Sequence, residues 1–200
     1  MLVNRIKTSL SRRIFRSLQF PRILKYRILS NCNTVIGRPH ALQPVQLVGK
    51  GEIEFHGCVQ IGYFPSPFFL SGYSYIEARN EHAKVKIGDG TVINNNFVAI
   101  SEHKSITIGK QVLIGTSVEI YDSNFHGVEP ERRLVSHPEE ASDVTIEDNV
   151  FIASNVKILK GVTIGRDSVI ANGAIVTRCI PQGVLAGGNP AKVIRAIRLI

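Results

Sequence analysis

The segment from His126 to Arg133, H-G-V-E-P-E-R-R, places an imidazole three residues before a carboxylate and seven before a guanidinium. A neutral histidine near pH 7 can take the proton from a hydroxyl group and so make it a nucleophile. His126 is therefore a candidate general base, and Arg133 is a candidate contact to a polar substrate. The alternative is a surface histidine with only a structural role.

His126 lies in a long polar stretch, residues 122–143, that contains two prolines. An irregular connection of this length is uncommon inside a compact domain unless it has a function. Three side chains in this stretch could orient the imidazole: Asp122, Asn124 and Glu129. A main-chain carbonyl is the fourth alternative, and the sequence does not choose among them.

On both sides of this stretch an aliphatic residue returns every six positions, most regularly at Ile146, Ile152, Ile158, Ile164, Ile170 and Val176. The residue three positions later in each repeat tolerates left-handed backbone angles, as corners require: Asn149, Asn155, Gly161, Asp167 and Gly173. A period of six fits neither a helix nor a simple strand alternation. It predicts short strands joined by tight corners, in coils that are stabilised by stacking on their neighbours.

The stretches IGKQVL-IGTSVE and IASNVK-ILKGVT-IGRDSV-IANGAI resemble the repeats of the hexapeptide-repeat transferases, and the resemblance covers roughly residues 31–195. It implies an all-β fold, a left-handed parallel β-helix, and a homotrimer. We accordingly expect a catalytic β-helix over residues 31–188, interrupted by the loop 122–143, and a short helical tail over residues 189–200.

The His126 segment is similar to the His-x-x-Asp/Glu-Pro-x-x-Arg stretch of the maltose, galactoside and capsular-sugar acetyltransferases. This resemblance implies that acetyl-CoA is the acyl donor and that His126 is the general base in a direct transfer. The expected acceptor is a sugar hydroxyl of a cell-surface polysaccharide or its precursor. The alternatives are N-acetylation of a nucleotide-linked amino sugar and a β-helix scaffold without activity.

The same resemblance assigns donor-site residues in the last coils. It implies that the N–H of Ala153 binds the thioester carbonyl, that Phe151 packs on the pantetheine arm, and that other residues line that arm: Ser154, Asn172 and Thr177. The cations expected near the CoA phosphates are Arg178, Lys192 and Arg195. Asn96 is the expected contact to the acceptor, with a purely conformational role at a corner as the alternative.

The formal net charge of +8 comes entirely from residues 1–30, which contain no acidic residue, so the neutral remainder gives no reason to expect a nucleic-acid partner. In this segment apolar residues recur at every fourth position: Leu2, Ile6, Leu10, Ile14 and Leu18. The pattern predicts a basic amphipathic helix that either contacts an anionic membrane surface or caps the open end of the β-helix.

No apolar run reaches the roughly 18–20 residues that cross a bilayer, and no signal-peptide pattern precedes the repeats. The three cysteines have no metal-type spacing, and the histidines lack the short His-x4-His spacing of β-helical zinc enzymes. We therefore predict no metal. The expected location is cytoplasmic, at the inner face of the membrane if residues 1–30 bind lipid.

Overall fold

The computed structural model describes Phe15 and residues 17–198, which fold into a parallel β-helix with one helix, α1, before it. Within these described residues, twenty strands, β1 to β20 in chain order, form three sheets.

Sheet A contains β1 (Thr34–Ile36), β4 (Glu52–Phe55), β7 (Lys84–Ile87), β10 (Ser105–Ile108), β13 (Val144–Ile146) and β16 (Thr163–Ile164). Sheet B contains β2 (His40–Ala41), β5 (Gln60–Ile61), β8 (Val92–Ile93), β11 (Leu113–Ile114), β14 (Phe151–Ile152), β17 (Val169–Ile170), β19 (Val184–Gly188) and β20 (Ala191–Ala196). Sheet C contains β3 (Val45–Val48), β6 (Ser74–Ala78), β9 (Val98–Ser101), β12 (Glu119–Tyr121), β15 (Lys157–Ile158) and β18 (Ile175–Val176).

Each coil takes one strand from each sheet in turn, so the chain turns three corners per coil. We name them the A–B, B–C and C–A corners after the sheets they join. Except for the last pair, β19 and β20, neighbouring strands within a sheet are parallel. Three parallel sheets in this order are consistent with the predicted left-handed β-helix.

The two phased series of the sequence have the predicted places in the coils. The six aliphatic residues from Ile146 to Val176 are completely buried, and Ile108, Ile146 and Ile164 stand in register along sheet A. All five predicted corner residues, from Asn149 to Gly173, have φ between 58° and 75°. The six-residue period therefore reports both the core and the corners correctly.

The predicted helical tail is wrong. β19 extends sheet B beside β17, and β20 folds back on β19 as an antiparallel strand, with Leu185 opposite Arg195 and Gly187 opposite Lys192. The apolar and β-branched residues of β20, including Val193 and Ile194, suit a strand. Pairing with the last edge of sheet B thus outweighs the helical preference of the alanines and basic residues.

Helix α1 covers residues 17–28 in the described part of the chain, which agrees with a helical N-terminal segment. Most of the predicted stripe, from Leu2 to Ile14, lies outside the described residues. α1 packs on a twelve-residue insertion, residues 62–73, that leaves the B–C corner of the second coil between β5 and β6. No described helix is long and apolar enough to span a membrane.

Candidate functional site

The predicted interruption lies at the C–A corner, between β12 and β13. An isolated antiparallel bridge between Ser123 and Ala141 closes its base, and the amide of Ser142 donates to the carbonyl of Asp122 at 2.7 Å. Two short 3-10 turns, Pro130–Arg132 and Pro138–Glu140, give the loop internal structure. It is thus a folded excursion with fixed ends.

His126 is exposed in this loop, and its ring has a defined orientation. Its Nδ1 lies 2.7 Å from the main-chain oxygen of Arg133. A carbonyl oxygen can only accept a hydrogen bond, so Nδ1 carries the proton and Nε2 is left with a free lone pair. Nε2 is therefore the atom that can act as a base.

The hydrogen bond between His126 and Arg133 closes a tight turn. The amide of Gly127 donates to the carbonyl of Arg132 at 3.3 Å, and a Cβ on Gly127 would overlap the Arg132 side chain and carbonyl. The close approach of the two chain segments of the turn therefore requires glycine at this position. Arg132 also pairs with Glu139 at 2.9 Å, which joins the two 3-10 turns.

The carboxylate of Asp122 is directed away from this turn. It is completely buried and accepts the amides of Glu102, His103 and Lys104 at 2.7–3.1 Å, so it holds the C–A corner of the preceding coil. Asn124 donates to Glu140 at 3.1 Å. Glu129 is exposed and begins the first 3-10 turn, with no side-chain cap. Among the described residues, the group that orients His126 is thus the main-chain carbonyl of Arg133.

Phe125, which directly precedes His126, is held in place by several contacts of its own. Its backbone has a φ of 62°, which is unusual for a bulky residue, and its amide donates to Ser123 Oγ at 2.9 Å. The Phe125 ring lies 4.9 Å from the guanidinium of Arg79 and meets Tyr121 edge-on. Strain of this kind is kept where neighbouring groups enforce it, and it clusters at functional sites.

Arg79 is itself fixed by two buried carboxylates. It makes two hydrogen bonds to Glu77, at 2.9 and 3.2 Å, and one to Glu102 at 3.2 Å. Burial acts to raise the pKa of Glu102, but hydrogen bonds from Ser123 and Ser136 and the charge of Arg79 outweigh it and hold that pKa below its usual range. Glu102 stays ionised and ties the loop, through Ser136, to the coils.

The sequence interpretation missed this support. The available signal was the acid–base pair Glu77 and Arg79, two positions apart on one face at the end of β6. Nothing in the sequence indicates that Phe125 stacks on Arg79.

The donor-site prediction for Ala153 needs a correction. Its amide donates to the carbonyl of Ile170 at 2.9 Å as part of the coil ladder, so it is not free for a thioester carbonyl. The next amide, that of Ser154, donates no hydrogen bond within residues 17–198, while Ser154 Oγ accepts from the amide of Thr116 at 3.1 Å. The amide of Ser154, one residue later than the predicted one, is therefore not part of the coil ladder.

The remaining donor-site candidates are distributed over two corners. Ser154 and Asn172 occupy successive turns of the B–C corner, and Lys192 lies beside them, opposite Gly187 in the terminal hairpin. Thr177 and Arg178 lie at the C–A corner after β18. Phe151 and Arg195 are exposed on sheet B. All three predicted cations, Arg178, Lys192 and Arg195, are exposed to solvent.

His126 and Ser154 therefore belong to different corners of the same chain. The loop that carries His126 leaves from the C–A corner, whereas Ser154 and Asn172 lie at the B–C corner. Sheet C separates these corners in every coil. One chain alone does not bring the candidate base and the free amide to the same corner.

Asn96 lies at the B–C corner, on the third coil. It has a φ of 63°, and its side chain donates to Ser117 Oγ at 3.1 Å in the next coil. Its neighbour Asn95 is completely buried and holds the insertion: its Nδ2 donates to the carbonyls of Tyr63 and Pro67, at 3.0 and 2.8 Å. The aromatic insertion thus flanks the predicted acceptor position.

The stacked coils, the left-handed corners and the folded histidine loop define a protein whose β-helix is built from six-residue repeats. The family described as bacterial transferase hexapeptide (six repeats) matches residues 143–178. The galactoside O-acetyltransferase of Escherichia coli is 40% identical over 119 residues, which are 58% of this chain and 55% of that protein. The chain spans about half the length of these curated relatives.

Two solved structures extend the similarity over most of the chain. A hexapeptide-repeat acetyltransferase of Vibrio cholerae, solved in complex with acetyl coenzyme A, is 27% identical with a TM-score of 0.55, covering 94% of this chain and 89% of its own. The polysialic-acid-specific acetyltransferase NeuO is also 27% identical, with a TM-score of 0.58 over 84% of this chain and 71% of its own. The chain is thus similar to hexapeptide-repeat acetyltransferases over most of its length.

Proposed function

We propose that this protein is an acetyl-CoA-dependent O-acetyltransferase that acts on a sugar hydroxyl of a cell-surface polysaccharide or its precursor. The observation that carries the proposal is the exposed His126 imidazole, whose Nδ1–H is held by the carbonyl of Arg133 so that Nε2 is available as a base. The relatives named as galactoside and polysialic acid acetyltransferases support the sugar acceptor.

In the proposed reaction Nε2 of His126 takes the proton of the acceptor hydroxyl while the hydroxyl oxygen attacks the thioester carbonyl. A C–O bond forms and the C–S bond breaks, and the proton passes from the imidazolium to the thiolate that leaves. The Ser154 amide supplies the fixed donor that the developing oxyanion needs. The acetyl group moves directly, without an acyl-enzyme.

The two-corner arrangement supports a homotrimer with its sites between subunits. In a ring of three chains, the C–A corner of one chain can meet the B–C corner of the next. Each site would then combine His126 from one subunit with Ser154, Asn172 and Lys192 from its neighbour. The aromatic insertion beside Asn96, with exposed Tyr63 and Phe68, would provide flat apolar faces to an acceptor sugar at the same corner.

Acetyl-CoA is expected to stabilise the wild-type fold, because a ligand that binds only the folded state raises the free energy of unfolding. At about 100 times its Kd the gain should be about 2.7 kcal/mol. Thermal unfolding with and without acetyl-CoA measures it. The double variant Lys192→Ala, Arg195→Ala should show a smaller gain at the same concentration, because cations near the phosphates are lost.

The matched control for this experiment is Lys110→Ala, Arg166→Ala, which removes two exposed cations from the A–B corner. Acetyl-CoA should stabilise this control variant as much as it stabilises the wild type. If no concentration of acetyl-CoA stabilises the wild type, the chain is a β-helix scaffold and the proposed activity is wrong.

Replacing Ser154 by proline should lower kcat by about 10²–10³-fold, the usual cost of losing one oxyanion donor. Ser154 precedes Asn155, whose φ is 59°, and proline is common before a left-handed residue in a tight turn. The coil ladder is kept because Ala153 and Asn155 donate its hydrogen bonds. Steady-state kinetics with acetyl-CoA and a sugar acceptor measure the change.

Ser154→Ala is the control, since it keeps the amide and removes only the hydroxyl that accepts from Thr116. The kcat of this variant should stay within a few-fold of the wild-type value, in contrast to the loss expected for proline. Equal losses in the two variants would show that the hydroxyl matters and the amide does not. An amino sugar acetylated faster than its hydroxyl counterpart would favour the alternative N-acetyltransferase.

A further inference from the structure

Helix α1 has one face fixed against the insertion. The ring of Phe15 lies 4.6 Å from that of Phe64, and Tyr26 stacks on Tyr73 at 4.4 Å. Between them, Arg22 donates to the carbonyl of Gly72 at 2.7 Å. Gln19, which is 2% exposed, donates to the carbonyl of Phe69. These contacts set the rotation of α1 about its own axis.

The opposite face of α1 is also apolar and is open to solvent. Phe20, Leu24 and Ile28 follow one another at intervals of four residues and expose 68%, 46% and 74% of their surface. At about 100° per residue, Leu24 points away from the packed face, with Phe20 and Ile28 about 40° to either side. A surface helix normally has a polar outer face, so this apolar one calls for a partner.

The charges beside this outer face indicate the kind of partner. Lys25 and Arg27 flank the apolar stripe on its two sides, and both are exposed. The first acidic residue in the chain is Glu52, so the segment around the stripe is uniformly basic. An apolar stripe with a cation on each side is the pattern of a helix that lies in the interface of an anionic bilayer.

We propose that the Phe20–Leu24–Ile28 face of α1 docks on the surface of an anionic lipid bilayer. Phe20, Leu24 and Ile28 enter the boundary between headgroups and acyl chains, and Lys25 and Arg27 pair with lipid phosphates. A second copy of the chain is the less suitable occupant, since pairing the same face with itself would bring Lys25 and Arg27 against their own equivalents.

Docking also orients the rest of the molecule. The inner face of α1 holds the insertion, and the insertion is fastened to the B–C corner by Asn95. This corner, the acceptor side in the proposed function, would therefore stand about one helix diameter, roughly 10 Å, plus the insertion above the bilayer. This last step rests on the proposed function, and it suits a saccharide acceptor carried on a lipid.

Vesicle co-sedimentation of the full chain tests the docking without any activity assay. The wild type should sediment with vesicles that contain phosphatidylglycerol, and much less with phosphatidylcholine alone. Phe20→Gln, Leu24→Gln, Ile28→Gln, which keeps good helix formers, should lose the binding. Lys25→Gln, Arg27→Gln should weaken it about 30-fold, from about 1 kcal/mol for each basic residue.

Two matched controls keep the test specific. Lys110→Gln, Arg166→Gln removes the same charge at the A–B corner, and Leu134→Gln, Val135→Gln removes exposed apolar side chains from the long loop. Both should bind as the wild type does. All variants should stay close to the wild-type midpoint of thermal unfolding, since the substituted side chains are exposed.

The proposal is overturned if the wild type does not sediment with anionic vesicles, or if the controls lose as much binding as the α1 variants. It is also overturned if the triple variant changes the oligomeric state in sedimentation analysis, because the face would then contact a second copy. None of these outcomes depends on acetyl transfer, so they are separate from a failure of the proposed function.

Discussion

His126→Ala should lower kcat for acetyl transfer by about 10²–10⁴-fold, the usual contribution of a general base. The acceptor hydroxyl is a weak nucleophile, and Nε2 of His126 is the ring atom that is available to accept its proton. The apparent KM for acetyl-CoA should change little, because the proposed contacts to the donor come from Ser154, Asn172 and Lys192 and not from the imidazole. Steady-state release of free CoA thiol in the presence of a sugar acceptor measures both quantities.

His137→Ala is the control from the same loop. His137 precedes the second 3-10 turn, and its Nδ1 lies 3.9 Å from Glu139, so it has only a weak ion-pair contact to lose. Its kcat should stay within a few-fold of wild type, as expected for an exposed pair. If the two variants were equally active, His126 would not be the base, and the folded loop would need another role.

The fold follows from the sequence because its determinants are local. The hexads from Ile146 to Gly173 repeat the same two requirements, an aliphatic residue inside and a residue that accepts positive φ three positions later. The register of Ile146 over Ile108, and the φ of 58° at Asn149, follow directly from that period. In a repeat of this kind the spacing of residues predicts the topology, whereas the topology of ordinary sheets depends on pairings between distant segments.

The hydrogen bonds of the candidate site are less visible in the sequence. The segment pattern predicts His126 as the base, but the group that orients its ring is a main-chain carbonyl, which every residue possesses. Likewise Ala153 and Ser154 are both small residues at a corner, and only the ladder bond from Ala153 to Ile170 shows which amide is free. Sequence identifies side chains, while these roles belong to the main chain.

In the terminal hairpin, by contrast, the side-chain pattern itself did not determine the secondary structure. The segment AKVIRAI contains alanine, lysine and arginine, which favour helices, between β-branched residues. The last strand of sheet B offers an unpaired edge, and β20 covers it by pairing with β19. Tertiary pairing therefore decided a segment whose local preferences were balanced.

In the proposed trimer, mixing two variants of low activity should restore activity. His126→Ala chains keep an intact donor corner, and Ser154→Pro chains keep an intact histidine. If each site combines the C–A corner of one subunit with the B–C corner of the next, random mixing in equal amounts leaves about one quarter of the sites with both parts intact. Refolding the two variants together and measuring kcat per site, against each variant refolded alone, gives the result.

The same measurement separates the two possible arrangements of the site. If His126 and Ser154 of one chain served the same site, every chain in the mixture would carry one defect, and no combination of subunits could restore activity. Variants that are mixed after separate refolding provide the control, because they cannot form new interfaces unless subunits exchange. Recovery only in the co-refolded sample would place the reaction between subunits, as proposed from the separation of the two corners.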